Sequence, residues 1–561
     1  MAPLPRWRGL AGNCSQGWRL LPLICIVVAL STLILPGALT RVPPLLDYPN
    51  HLARIWLLGG GIDQPPLNAI YAVDWSGAST NIGVDLLAAT LGRLIGGWTL
   101  ASLLLGAAVL LPSLGAVLLN RAAFGGWHWW QAGFAVLAWN STLLAGFLNF
   151  QIGIGLALLA AAMDTASIRR LGALGAAPVR MALGAALLVF HPFAAGFYAV
   201  LLAGLAFGAE RALSERAAPF RHRAWRAVAT AGLGAGVPVA CFLLLAPKLP
   251  GGHAPAGIYD PWAGFTFGNK AATLLSAIAT YNLWLDCVAV LSLWVAARLV
   301  ASAPLLRCHA GLLLCALGLI VLALLIPSEL GGTALIDWRF PVMALFTAAA
   351  AVRPGMRSTR AGQAMAVALT LLALARTGWI GGIWHDRQAD VAAVADALAL
   401  VPAGAAVLPV QHIGVRGPTP QGRRLFTGLP TFLHLPALAV PLRRAFVPTL
   451  FTAPGKQPLR VLAPWAGISV LEGPPAPVSY LRPFVVSPRE SYAIGYMEHW
   501  RERFDYVLVI NAQAPDDDSE AAVPGLRLLT DRGFARLYQV LRDGTAQRVE
   551  QPQVPPASTV D

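Results

Sequence analysis

A short segment that follows the first long apolar run combines an acid, a histidine and an arginine. Residues 43–61 read PPLLDYPNHLARIWLLGGG, in which Asp47, His51 and Arg54 are spaced by four and three residues. In a helix these spacings place the three side chains on one face, opposite an apolar face that suits a membrane surface. A carboxylate at such a place could accept the proton of a hydroxyl group while a cation such as Arg54 holds a phosphate leaving group.

The same residues also fit a purely structural role. Asp47 or Asn50 could cap the helix, because side-chain oxygens accept hydrogen bonds from the first backbone N–H groups, and Pro49 suits the first turn. The chemical role is favoured if the acid lies at the water-facing mouth of a multi-span bundle, where ionisable residues are functional candidates. The residues alone leave both roles open.

The composition is that of an integral membrane protein. Hydrophobic residues make up 57% of the 561 residues and charged residues only 12%, far from the mix of an ordinary soluble domain. The formal net charge is +14, but the arginines are scattered between apolar runs, which favours topology signals over binding of nucleic acid. The six cysteines have no metal-ligand spacing, and none follows Cys315. Any exported C-terminal domain must therefore fold without disulfides.

The apolar runs predict about eleven membrane spans. The first, LLPLICIVVALSTLILPGAL, follows three arginines and is too long for a cleaved signal peptide. The further runs lie at 98–119, 129–147, 150–168, 172–190, 193–209, 228–247, 280–301, 308–326, 340–352 and 361–383.

Arginine is concentrated in alternate loops, including ERALSERAAPFRHRAWR at 210–226, and is sparse in the others. Because short cytoplasmic loops carry the excess of Lys and Arg, this segregation predicts a cytoplasmic N-terminus. With an odd number of spans, the chain after about residue 384 then lies in the periplasm of a bacterial cell.

The sequence divides into three parts. Residues 1–383 are predicted to form a transmembrane bundle whose first periplasmic loop is 39–97. Residues 384–545 are predicted to form a small periplasmic α/β domain, because helix-like DVAAVADALALV precedes strand-like AAVLPV, RAFVPTLF, DYVLVIN and GFARLYQV, with Pro- and Gly-rich turns between them. Residues 546–561, which are polar and contain prolines, are predicted to be a disordered tail.

The chain also resembles a known family, the GT-C-type polyprenyl-phosphate-dependent glycosyltransferases. The resemblance is carried by LLDYPNHLAR directly after the first span and by VDLLAATLGRLIGG as a second surface helix before the next span. It implies an α-helical polytopic inner-membrane fold, a hexosyl or pentosyl transfer to a periplasmic glycan or lipid acceptor, and Asp47 as the first-loop catalytic base. The loop departs from many members, which use an adjacent pair of acids to hold a divalent metal. No cofactor is required by the sequence, and a divalent metal stays open.

A polyprenyl-phosphate sugar donor would need a cation for the phosphate, polar groups for the sugar and an apolar slot for the lipid chain. Beside His51 and Arg54, the candidate substrate-binding residues at external turns are Asn149, Gln151, His191, Lys270, Asp337 and Arg339. Each has a structural alternative: His191 could satisfy backbone groups at a turn, Lys270 could be an interfacial residue, and Asp337 with Arg339 could form a plain ion pair.

Two other functions compete with transfer. A lipid or glycan transporter or flippase would use the same cavity without bond chemistry, and would show repeat-related halves and broken helices near the middle of the bilayer. A non-catalytic scaffold would present the C-terminal domain to a partner in envelope assembly. The sequence contains no Walker phosphate loop, dinucleotide glycine fingerprint, zinc-protease helix or nucleophile elbow.

Overall fold

The computed structural model describes most of the chain after residue 16. The described residues are 17–78, 80–209, 219–245, 265–300, 306–329, 333–355, 358–414, 419–454, 456–483, 486, 493–514, 520 and 523–542. The tail predicted at 546–561 lies outside them, as do residues 210–218 of the arginine-rich loop.

Helices dominate the chain up to residue 398. In chain order the α-helices of the described residues are α1 (Gly17–Thr32), α2 (Leu35–Leu39), α3 (Tyr48–Leu58), α4 (Gly83–Ile95), α5 (Gly97–Phe124), α6 (Ser141–Leu144), α7 (Leu148–Phe190), α8 (Pro192–Ala209), α9 (Phe220–Ala231), α10 (Val237–Leu245), α11 (Phe267–Leu275), α12 (Leu283–Val300), α13 (Ala310–Leu325), α14 (Arg339–Ala350), α15 (Thr359–Asp386), α16 (Gln388–Leu398), α17 (Ala439–Arg443) and α18 (Trp500–Arg503).

The helices confirm a mostly helical polytopic membrane protein. Five helical stretches of the described residues are long and apolar enough to cross a membrane: Leu20–Leu39, Gly97–Phe124, Leu148–Phe190, Phe220–Leu244 and Thr359–Leu398. Four shorter apolar helices accompany them, within α8, α12, α13 and α14. The count of about eleven spans stays a prediction.

Helix α7 is a helical hairpin. Gly172 has the non-helical dihedral angles φ 73° and ψ 176°, a left-handed φ that glycine adopts without strain. On either side of it, Nε of Arg180 lies 2.7 Å from Oδ1 of Asp164. Sixteen residues of straight helix would separate these positions by about 24 Å, so the chain must reverse at Gly172. The two halves correspond to the runs predicted at 150–168 and 172–190.

The apolar run at 129–147 does not form one continuous α-helix. It forms a 3₁₀ segment, Trp129–Ala138, followed by the short α6, and every residue of the 3₁₀ segment is buried. Non-helical backbone is tolerated at membrane depth only where protein satisfies its polar groups. Arg376 of α15 does so here, because its guanidinium donates to the carbonyls of Val136 and Trp139.

A five-stranded sheet lies in the C-terminal region, which is the part of the chain after residue 398. Two small two-stranded ladders lie outside this sheet. The strands are β1 (Tyr71–Val73), β2 (Arg307–Cys308), β3 (Val352–Arg353), β4 (Val407–Gln411), β5 (Leu459–Val461), β6 (Ala476–Pro477), β7 (Tyr506–Ile510), β8 (Leu526–Asp531) and β9 (Ala535–Val540). The order of the sheet is β6-β4-β7-β9-β8, with β4 parallel to β6 and β7 and with β9 antiparallel to both of its neighbours.

The segment RAFVPTLF, predicted as a strand, makes only an isolated bridge between Ala406 and Phe446. The second half of this segment instead packs against the first loop. The side chain of Asn50 donates to the carbonyl of Thr449 and accepts from the N–H of Phe451, both at 2.9 Å. Strand β1 of the first loop also pairs antiparallel with β5. The C-terminal region therefore packs directly on the first loop, and a domain boundary at about residue 384 stays a prediction.

Candidate active site

A cavity of about 370 Å³ lies where the first loop, the α7 hairpin, α14 and the C-terminal region meet. Its wall carries both charged and aromatic side chains. The lining residues are Leu46, Asp47, His51, Thr80, Asn81, Phe147, Leu148, Asn149, Phe150, His191, Pro192, Phe193, Thr333, Ala334, Leu335, Arg339, Phe451, Lys456, Gln457 and Glu472. Asp47, His51, Asn149, His191 and Arg339, all predicted site residues, are thus brought together.

The backbone around Asp47 is held by the turn before α7. The N–H groups of Leu46 and Asp47 donate to the carbonyls of Leu144 and Ala145 at 3.0 and 3.1 Å. Gly146 in this turn has a φ of +84°, and a Cβ there would lie 2.8 Å from the backbone nitrogen of Asp47. Only glycine fits this close approach without displacing Asp47.

The Asp47 carboxylate is not used as a helix cap. Asp47 occupies the N-cap position of α3, but within the described residues its side chain makes no capping hydrogen bond. The side chain is 18% exposed. Burial, reinforced by the nearby Glu472 carboxylate, raises the pKa of Asp47 from its ordinary 3.8 to about 7, although Arg339 and Arg54 act in the lowering direction. A carboxyl group with this pKa is suited to accept a proton near neutral pH.

Arg339 provides a cation in the wall of the same cavity. Its Nη1 donates to the carbonyls of Ala334 and Leu335, each at 3.0 Å. Its guanidinium lies 4.7 Å from the ring centre of Phe147 and 5.2 Å from that of Phe193. The Nε atom is buried and has no hydrogen-bond partner among the described residues. An unsatisfied N–H of a buried guanidinium would gain most from an anionic ligand.

Two of the other predicted lining residues, Asn149 and His191, form hydrogen bonds with backbone groups of the protein. Asn149 accepts from the N–H of Val84 and donates to the carbonyl of Asn81, so it mainly orders the start of α4. His191 accepts from the N–H of Phe193 through Nδ1.

His51 lines the cavity and has one ring nitrogen without a partner among the described residues. Burial, reinforced by Arg54 and His434, lowers the pKa of His51 well below its ordinary value. Its Nδ1 is buried without a partner in the described part of the chain. A neutral histidine with an open ring nitrogen can hydrogen-bond a sugar or acceptor hydroxyl.

The remaining predicted residues are engaged away from the cavity lining. Nε of Arg54 donates to Oδ1 of Asp85 at 2.6 Å, and both side chains are fully buried. This ion pair ties α3 to α4, the two helices of the first loop. Gln151 donates to Asn140 and Thr142, both at 2.8 Å.

Lys270 and Asp337 form a second buried pair. Nζ of Lys270 donates to Asp337 at 2.8 Å and to the carbonyls of Ala323 and Ile326 at 3.2 and 2.6 Å. Since an ammonium group has three donors, Lys270 has none left for a phosphate. The pair instead holds the turn that precedes Arg339, and so positions the guanidinium.

The C-terminal region supplies site residues that the sequence did not indicate. Nζ of Lys456 lies 2.9 Å from Glu472 at the cavity wall, and Oε1 of Gln457 is buried without a partner among the described residues. Nε2 of His434 lies 3.5 Å from Oδ1 of Asp47. They lie about 400 residues from the first loop in sequence, and no local spacing marks them. No three His, Cys, Asp or Glu side chains of the described residues form a group that could hold a metal ion.

No family model and no curated protein sequence matches the chain. Solved structures do show a likeness over most of its length. ArnT from Cupriavidus metallidurans, bound to undecaprenyl phosphate, is 11% identical with a TM-score of 0.48, covering 94% of this chain and 98% of that chain. The apo state of the same protein gives 11% identity and a TM-score of 0.42, covering 93% of this chain and 97% of that chain.

The archaeal oligosaccharyltransferase AglB from Archaeoglobus fulgidus, in complex with an inhibitory peptide and a dolichol-phosphate, is 13% identical with a TM-score of 0.34. The match covers 89% of this chain and 70% of that chain. The sequence identities and TM-scores of these structures are low, and the proposed function rests on the cavity residues instead.

Proposed function

We propose that this protein is a membrane glycosyltransferase that moves a sugar from a polyprenyl-phosphate donor to a glycan or lipid acceptor on the periplasmic side of the bacterial inner membrane. The observation that carries the proposal is that Asp47 and Arg339 line the same cavity. Asp47 offers a carboxylate that no helix cap uses, and Arg339 offers a buried cation with an unsatisfied N–H.

The proposed step is a direct displacement. The acceptor O–H attacks the anomeric carbon of the sugar, and the bond between that carbon and the phosphate oxygen breaks. The phosphate leaves with the electron pair, and the Asp47 carboxylate takes the acceptor proton. A base with a pKa of about 7 is largely ionised at slightly alkaline pH and still basic enough to accept the proton.

Arg339 binds the departing phosphate in this proposal. The charge on the phosphate grows as the bond breaks, so a fixed guanidinium stabilises the transition state more than the ground state. Lys456, also at the cavity wall, is paired with Glu472 at 2.9 Å, so this proposal assigns the phosphate to Arg339. Arg54, the cation first considered for this role, is neutralised by Asp85.

The cavity wall also suits the lipid part of the donor. Phe147, Phe150, Phe193 and Phe451 contribute aromatic surface beside the polar groups. Apolar walls with a few directed polar groups are usual for sites that bind lipid-linked ligands. The open nitrogen of His51 and the open oxygen of Gln457 provide hydrogen-bonding groups for sugar hydroxyls.

The proposed orientation of the chain in the membrane follows from the distribution of arginine among the loops. Arginine segregation supports a cytoplasmic N-terminus, which puts the first loop, the cavity and residues 384–545 on the periplasmic side.

The test is release of polyprenyl phosphate from a panel of undecaprenyl-phosphate hexoses and pentoses by the purified full-length protein. Release that depends on an added acceptor and is lost in Asp47→Asn supports transfer. Asp63→Asn is the matched control, because Asp63 is an acid of the same loop that is 61% exposed and pairs with Arg93 at the surface. Movement of intact donor across vesicles with no release in any variant would instead indicate a flippase.

A further inference from the structure

His434 is a buried histidine from the C-terminal region that lies beside Asp47. It precedes the short 3₁₀ turn Leu435–Leu438 and is 7% exposed. Its ring lies 4.9 Å from that of Phe451, centre to centre, in an edge-to-face arrangement. Nε2 lies 3.5 Å from Oδ1 of Asp47, and Nδ1 lies 3.5 Å from Nδ2 of Asn50.

The orientation of the Asn50 amide is fixed by the backbone of the C-terminal region. Its Oδ1 accepts from the N–H of Phe451, and its Nδ2 donates to the carbonyl of Thr449, both at 2.9 Å. Reversing the amide would place donor against donor and acceptor against acceptor. Nδ2 of Asn50 therefore faces Nδ1 of His434 as a donor.

This amide selects the tautomer of His434. In a neutral imidazole one nitrogen accepts and the other carries the proton. If Nδ1 accepts from Asn50, the proton is on Nε2, the nitrogen that faces the Asp47 carboxylate.

We propose that His434 is a positioning residue for Asp47: held as the Nε2–H tautomer by Asn50, it donates to the Asp47 carboxylate and orients the proton acceptor. This inference rests on the proposed function, and it makes the C-terminal region part of the catalytic site. At 3.5 Å the two atoms are farther apart than in an ordinary N–H···O hydrogen bond of about 2.7 to 3.2 Å, as contacts of catalytic groups often are before substrate binds. Burial lowers the pKa of His434 to about 4, which keeps the ring neutral at physiological pH.

A donated hydrogen bond favours the ionised carboxylate and so lowers the pKa of Asp47. The other charged or titratable groups around Asp47 come from four parts of the fold. Arg54 and His51 belong to α3, His191 follows α7, Arg339 begins α14, and Glu472 and Lys456 come from the C-terminal region. Because these groups stay in place when His434 is changed, a change in the Asp47 titration reports the contact with His434.

The test measures that titration without a substrate. The melting temperature of the full-length protein in detergent is recorded from pH 4 to pH 9, with and without Asp47→Asn, and the difference between the two curves isolates Asp47. That difference should level off near pH 7, the pKa of Asp47. The same pair of curves is then measured with His434→Phe and with His434→Gln.

His434→Phe keeps the ring that packs on Phe451 but removes the N–H, so the levelling-off point should move up by roughly one pH unit. His434→Gln carries an amide N–H that reaches the position of Nε2, and should keep the point near pH 7. His128→Phe is the control. His128 is also buried, but it bonds Asn120 at the far end of α5, so its loss should lower the melting temperature without moving the point.

An unchanged levelling-off point in His434→Phe would overturn the inference, as would an equal shift in His434→Gln or His128→Phe. If the point moves as expected but the wild-type protein releases no polyprenyl phosphate from any donor of the panel, the contact is real and the proposed function fails. If Asp47→Asn is inactive and the point does not move, only the role of His434 fails.

Discussion

Replacing Asp47 by asparagine should stabilise the protein at alkaline pH while lowering turnover by roughly 10²- to 10⁴-fold. A carboxylate whose pKa is raised on folding binds its proton more tightly in the folded state than in the unfolded state. The folded state is then destabilised, relative to the unfolded state, as pH rises from about 4 to about 7, and the full cost is present above pH 7. The asparagine side chain does not ionise in this range, so Asp47→Asn removes the cost.

The magnitude follows from the two pKa values. The pKa of Asp47 rises from 3.8 to about 7, a difference of about three pKa units, and each unit is worth about 1.4 kcal/mol. The cost of ionising Asp47 is therefore on the order of 4 kcal/mol at pH 8, and it vanishes near pH 4. No capping energy opposes the gain, since among the described residues the Asp47 side chain caps nothing.

The assay compares melting temperatures of wild type and Asp47→Asn in detergent at pH 4.5 and at pH 8. The variant should melt a few degrees higher than wild type at pH 8 and close to wild type at pH 4.5. Asp63→Asn, at an exposed site, should match wild type at both values. A variant that is less stable than wild type at pH 8 would refute the placement of a partly buried, uncapped carboxylate at this position.

Three further outcomes are expected. Arg339→Ala should weaken binding of undecaprenyl phosphate by roughly 10- to 150-fold, the value of a charge-assisted contact of about 1.5 to 3 kcal/mol, while Arg307→Ala, exposed on β2, should not; equal binding by the two variants would contradict the phosphate role. Arg54→Ala should lower the free energy of unfolding by roughly 3 to 5 kcal/mol, because it leaves a buried carboxylate unpaired; an unchanged melting temperature would show that the pair does not form. In a cysteine-free background, Asp63→Cys should react with an impermeant thiol reagent in intact cells and Phe220→Cys should not, and the reverse labelling would invert the topology.

The sequence predicts the first-loop site well where short spacing is enough. Residues four and three apart share a helix face, and so the sequence predicts that Asp47, the N-cap of α3, lies near His51; both line the cavity. The same spacing predicts that Arg54 shares this site. In the structure the Arg54 guanidinium is buried and forms an ion pair with a carboxylate outside α3. That partner, Asp85, lies on the next helix, and no local pattern identifies it.

Long-range packing decides the rest of the site. Lys270 and Asp337 are separated by 67 residues, and their pairing turns Lys270, a candidate substrate-binding residue, into a support for the turn before Arg339. The 3₁₀ segment Trp129–Ala138 is supported by Arg376, 240 residues after Val136, which donates to the Val136 carbonyl. Composition predicts that such a run is buried, but it does not predict which partner supplies its hydrogen bonds.

The role of Asp47 as the base is best tested by the pH dependence of kcat/KM for acceptor-dependent release of polyprenyl phosphate. If Asp47 is the general base, the rate should rise with pH and level off near pH 7, the pKa of the carboxyl group in the free protein. Asp47→Asn should lose this dependence, and its turnover should fall by roughly 10²- to 10⁴-fold, with undecaprenyl phosphate still bound through Arg339. An Asp47→Asn protein that turns over at the wild-type rate, with the same rise toward pH 7, would contradict the assignment of Asp47 as the base.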